Sequence, residues 1–163
     1  MKLTRWGEAG AEQAGLMDDS GTLRDLSGTV ADWSWQTLTS EALAQVAALD
    51  PNTLPALPAD TRLGAPVSRP GKIVGCALTY GKHAGEAGLE PPEEPMFMLT
   101  AASAINGPSD PVMMPNGGTQ LDWEAELAVV FCKAGANILV ENAMSHVAGF
   151  CAVSYTHLTL PTR

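Results

Sequence analysis

Apolar residues recur at helical spacing along Thr39–Leu49, where Leu43, Val46 and Ala47 fall on one face. Thr39 is placed to cap this helix, Glu41 complements its positive end, and Asp50-Pro51 stops it. Elsewhere the pattern is that of strands. Gly15–Arg24 predicts two short strands around an Asp18-Asp19-Ser20-Gly21 turn. Lys72–Leu78 is an apolar run that predicts a short buried strand, and Thr79–Glu86 then suits a loop entering a short helix. Met96–Leu99 and Trp123–Phe131 predict strands. Glu141–Val147 predicts a short helix with Gly149 as its stop, and Phe150–Ala152 begins another strand. Pro51, Pro55, Pro58, Pro66 and Pro70 mark an ordered linker, with a boundary near residue 65.

The fold class expected from these elements is α+β, with a small mixed domain over residues 1–64 and a strand-rich unit over 65–152. A chain of 163 residues holds one domain or a little more. Nine Lys and Arg against 18 Asp and Glu give a net charge of −9, which argues against nucleic acid or an anionic membrane as partner. No apolar run is long enough to span a bilayer, and the N-terminus lacks a secretory pattern, so a cytoplasmic location is expected. Cys76, Cys132 and Cys151 show no metal-binding spacing and stand in apolar surroundings, so inert thiols are expected.

Two constellations could carry chemistry. In the strand Asp122–Val130, side chains alternate, so Asp122, Glu124 and Glu126 share one face and Trp123, Ala125, Leu127 and Val129 the other. Three acids at that spacing repel one another, and a hard divalent cation would relieve the repulsion. A solvated edge-strand face explains the same pattern without a ligand. His83-Ala84-Gly85-Glu86 puts an imidazole and a carboxylate one helical turn apart, as a base with its orienting acid or as a plain surface pair. His146 has no acidic neighbour at helical spacing and is expected at the surface or in a cap.

The residues 153–162, Val-Ser-Tyr-Thr-His-Leu-Thr-Leu-Pro-Thr, reproduce in order one reading frame of a transposon-end adapter used in shotgun sequencing libraries. The expectation is that the native sequence stops near Ala152 and that 153–163 are translated adapter outside the fold. Tyr155 and His157 are accordingly set aside as functional candidates.

Four blocks in order resemble the fumarylacetoacetate hydrolase family: Tyr80-x-x-His83-x-x-Glu86, Glu94-Pro-Met-Phe-Met98, Ser103-Ala-Ile-Asn-Gly-Pro108 and Asp122-Trp-Glu-x-Glu-Leu-x-Val-Val130. The resemblance covers residues 1 to about 152, roughly the first half of such an enzyme. It implies that 65–152 is the first part of a β-rich catalytic roll, truncated. It implies Glu124 and Glu126 as two of three carboxylate ligands to Mg²⁺ or Mn²⁺, and His83 with Glu86 as the dyad that activates water. It assigns no substrate-binding residue. The activity implied is metal-dependent hydrolysis of a C–C bond in a small 2-oxo or 2,4-dioxo acid of the acylpyruvate type, by a homodimer when intact. Ureidoglycolate lyase and 2-hydroxyhepta-2,4-diene-1,7-dioate isomerase are the alternatives, and a non-catalytic fragment is the alternative for the chain as given.

The chain departs from the family pattern in three places. Thr79 stands where Asn is usual and Thr100 where Lys is common. Ser154 and Tyr155 occupy the places of an Asn-Asp pair whose Asp is the third metal ligand.

Overall fold

A computed structural model describes residues 1–158. The chain begins with three antiparallel strands, β1 (Lys2–Trp6), β2 (Gln13–Met17) and β3 (Leu23–Asp25). The two-residue strand β4 (Leu63–Gly64) adds to β1, giving the sheet order β3-β2-β1-β4. Helix α1 (Ser40–Ala47) contributes Val46 to a core of Ala14, Leu16, Leu26, Val30, Trp33 and Leu38. Thr39 caps it as expected, its hydroxyl accepting from the Ala42 N–H at 3.2 Å. Of the expected helix face, Val46 is buried and Leu43 half-buried, whereas Ala47 is exposed.

Trp33 anchors the second strand at Gly15, and side chains of β1 explain why a glycine stands there. The indole is fully buried and donates from Nε1 to the Gly15 carbonyl at 3.3 Å. A Cβ at Gly15 would stand 2.8 Å from both Thr4 Oγ1 and Trp6 Cδ1. The β2–β3 turn is organised by Asp18, whose carboxylate accepts from the N–H groups of Ser20 and Thr22, the Ser20 hydroxyl and Arg24 Nε.

The strand β7 (Leu121–Phe131) pairs antiparallel with β8 (Val147–Leu158) along its length. Val130, Cys132 and Ala148 at one end of this ribbon pack against the N-terminal core. A chain of ions fastens the segment before β7 to the same body. Arg5 is buried and donates to both carboxylate oxygens of Asp32 and to Glu12. Glu12 also accepts from Arg62, and Arg62 donates through a second fork to Asp110. Burial works against the charge of Glu12, yet the Arg62 hydrogen bond and the nearby Arg5 hold its carboxyl below the usual range.

One compact unit is Met1–Ser68 with the residues from Asn106 onward, and the other is Arg69–Ile105. The second unit is a hairpin of β5 (Ile73–Ala77) and β6 (Met96–Thr100) with helix α2 (Gly81–Glu86) between them. Val74 is half exposed, so β5 is not the buried strand its apolar run suggests. A hairpin leaves both faces of a two-stranded ribbon to be covered, and its neighbours within the unit cover little. Phe97 and Leu99 are 71% and 77% exposed.

Four further expectations are corrected. The segment expected as a helix over Glu141–Val147 is a 3₁₀ helix over Val140–His146. Gly149 does not stop it, because β8 has already begun at Val147. His146 is buried rather than at the surface: its Nδ1 lies 3.1 Å from the Lys133 carbonyl, to which an Nδ1–H donates. The strand that the pattern begins at Phe150 continues through Val153–Leu158, so these residues are paired with β7 rather than outside the fold. Residues 159–163 of the expected adapter segment lie outside the described residues.

Candidate functional site

Alternation along β7 and its register with β8 decide what stands around the two glutamates. Directly opposed residues of an antiparallel pair project from the same face. Asp122 faces His157, Glu124 faces Tyr155 and Glu126 faces Val153. One face therefore carries Asp122, Glu124 and Glu126 together with His157, Tyr155 and Val153. Farther along, that face carries Ala128, Cys151 and Val130, and it is the face that runs onto the core. The other face carries Trp123, Leu127, Val129 and Phe150, all exposed, with Trp123 at 69%. The acidic face is thus the partly covered one, with Glu126 half-buried, and the apolar face is outward.

The acids are not alone on their face. His157 Nε2 lies 3.1 Å from Glu124 Oε1, and its Nδ1 lies 2.9 Å from the Leu158 carbonyl oxygen. The ring of Tyr155 packs beside that of His157 at 5.8 Å between centroids. The hydrogen bond to Leu158 does most to raise His157 above its ordinary value; burial opposes it, and the hydrogen bond to Glu124 with the charges of Glu124 and Asp122 adds to the rise. The ring of His157 thus occupies one carboxylate oxygen of Glu124 on the crowded acidic face.

Glu124 and Glu126 offer the hard oxygen donors that Mg²⁺ or Mn²⁺ prefers. A third carboxylate opposite Glu124 would have to come from position 155, which is Tyr. Among the described residues no three His, Cys, Asp or Glu side chains converge on a point that could hold a metal. The donor set as it stands is therefore incomplete for a hard divalent cation.

The second constellation lies in the other unit. Leu78 takes the left-handed region at φ 55°, turning the chain out of β5 toward α2. Helix α2 buries Ala84 completely, while His83 and Glu86 are exposed. The two lie one turn apart, as the spacing predicts, and no hydrogen bond joins their side chains among the described contacts. The cysteines are half-buried; burial pushes the Cys151 thiol up, which keeps it protonated. Setting Tyr155 and His157 aside hid two members of the acidic face. The signal that finds them is register, since period two on paired strands brings every second residue of 153–157 opposite an acid or its neighbour.

Among the described residues no helix is long and apolar enough to cross a membrane. Comparison with known proteins gives the family. A family described as fumarylacetoacetate (FAA) hydrolase C-terminal matches residues 72–155, a span that contains His83, Glu86, Glu124 and Glu126. A protein of Burkholderia ambifaria, provisionally named a hydrolase, is 42% identical over 154 residues, covering 94% of this chain and 55% of that protein. Among solved structures, a Mycobacterium smegmatis protein provisionally named HpcE matches with a TM-score of 0.76 and 27% identity, over 96% of this chain and 55% of that one. Fumarylacetoacetate hydrolase from the psychrophile Exiguobacterium antarcticum matches with a TM-score of 0.67 and 25% identity, over 96% and 56%. The chain spans a little over half the length of the relatives it matches, and with that reach it belongs to the fumarylacetoacetate hydrolase family, a family of enzymes generally dependent on a divalent metal.

Proposed function

We propose that this chain corresponds to the first part of an enzyme that hydrolyses a C–C bond in a small 2,4-dioxo acid with Mg²⁺ or Mn²⁺. The observation that carries the reading is the placement of Glu124 and Glu126 on one strand face inside the span matched by the family. In the intact enzyme these two carboxylates are metal ligands, and His83 oriented by Glu86 takes a proton from the attacking water at an imidazole nitrogen. The exposure of both residues of this pair on α2 leaves them open to a substrate. The intact enzyme acts as a cytoplasmic homodimer; the net charge of −9 on this chain suits a small soluble substrate rather than nucleic acid or an anionic membrane. The chain as it stands, with its donor set incomplete, is non-catalytic.

The test is kinetic, on a full-length enzyme carrying these residues. His83→Ala should lower kcat by roughly 10²–10⁴, the range for a lost general base, with metal affinity little changed. An unchanged kcat would remove His83 from the mechanism.

A further inference from the structure

We infer that β8 closes the acidic face of β7 to divalent cations in this chain, with His157 taking the carboxylate oxygen and Tyr155 the place that a bound cation needs. The inference rests on the reading of Glu124 and Glu126 as cation ligands. Three observations on the ribbon support it. The Nε2 of His157 lies 3.1 Å from Glu124 Oε1, so one of the two available carboxylates already has a partner. Tyr155 is the residue directly opposite Glu124, where Cβ atoms of paired strands are about 4.5–5.5 Å apart. At that distance a carboxylate would share a cation with Glu124, whereas the Tyr155 ring adds bulk and brings no carboxylate oxygen. Val153, opposite Glu126, has no donor atom in its side chain.

The same geometry says what would open the face. Asp at position 155 sets a third carboxylate across from Glu124, on the face that already carries Glu126. Removing the imidazole at 157 frees the Glu124 oxygen. Neither residue lies in the core formed by Trp33 and its neighbours, and Tyr155 and His157 are both half-buried on the ribbon.

Mn²⁺ binding to the purified chain, read by electron paramagnetic resonance of the free ion, tests this without reference to turnover. The unaltered chain should show no saturable binding, and Glu126→Gln should leave its trace unchanged. The double variant Tyr155→Asp/His157→Ala should bind Mn²⁺ at least about tenfold more tightly than the unaltered chain. Adding Glu126→Gln to the double variant should remove that gain. Saturable Mn²⁺ binding by the unaltered chain that Glu126→Gln abolishes would overturn the closure while upholding the glutamates as ligands. A double variant with an unchanged circular dichroism spectrum and no gain in binding would overturn the closure as well. Gained binding that survives both Glu124→Gln and Glu126→Gln would instead sink the ligand reading. The comparison of the unaltered chain with its Glu126→Gln variant stands even where the double variant does not fold.

Discussion

Asp18 concentrates four hydrogen bonds on one carboxylate, and the consequence is a measurable dependence of stability on pH. The Ser20 hydroxyl, followed by the Thr22 N–H and Arg24, outweighs burial and lowers its pKa from an ordinary 3.8 to about 2. A carboxylate whose folded-state pKa is depressed stabilises fully above its unfolded value and loses that contribution as pH falls through the folded one. Unfolding midpoints in denaturant should therefore fall between about pH 4 and pH 2, and Asp18→Asn should flatten that part of the profile relative to the unaltered chain. A second residue-scale prediction concerns Trp33. Its full burial and its bond to Gly15 place Trp33→Ala among large core truncations, with a loss of about 3–5 kcal/mol in unfolding free energy. A loss below about 1 kcal/mol in a urea titration would contradict the core drawn around it.

At the scale of elements, most of what forms was legible because its cause is local. The cap of α1 sits in the sequence as Thr39, the β2–β3 turn as Asp18-Asp19-Ser20-Gly21, and the strand β7 as an alternation. Thr39→Ala should cost about 1 kcal/mol, read as a lowered melting temperature. What escaped the sequence depends on distant partners. Strand β1 is short and mixed in character, and it exists because Leu3 and Arg5 meet β2 and the Asp32 carboxylate. The ion chain from Asp32 through Arg5, Glu12 and Arg62 to Asp110 spans residues far apart in sequence, so no local spacing signals it. The two glutamates of the candidate site were placed on one face by period two alone. Which residues stand opposite them needed the register with β8. The direction of burial also needed the fold: the sequence pattern does not say that the acidic face runs toward the core and the apolar one outward.

For the whole molecule, the outward face of β7–β8 sets the behaviour in solution. Trp123, Leu127, Val129 and Phe150 form a contiguous exposed apolar strip on one ribbon face, and β6 exposes Phe97 and Leu99. Large uncovered apolar surface on a ribbon favours association. Light scattering should show association that rises with concentration, and Leu127→Ser/Phe150→Ser should reduce it without lowering the melting temperature. On the function proposed above, Glu124 and Glu126 serve a metal enzyme only when a carboxylate at position 155 and the remainder of the catalytic roll complete the donor set. The most direct measurement is metal-titrated hydrolysis of a 2,4-dioxo acid by a chimera that keeps this chain through Ala152 and continues with the Burkholderia ambifaria relative, compared with its Glu126→Ala variant and with the unaltered chain. The account predicts turnover that depends on Mg²⁺ or Mn²⁺ in the chimera, none above background in the other two. Metal-dependent turnover by the unaltered chain, or by the Glu126→Ala chimera, would contradict it.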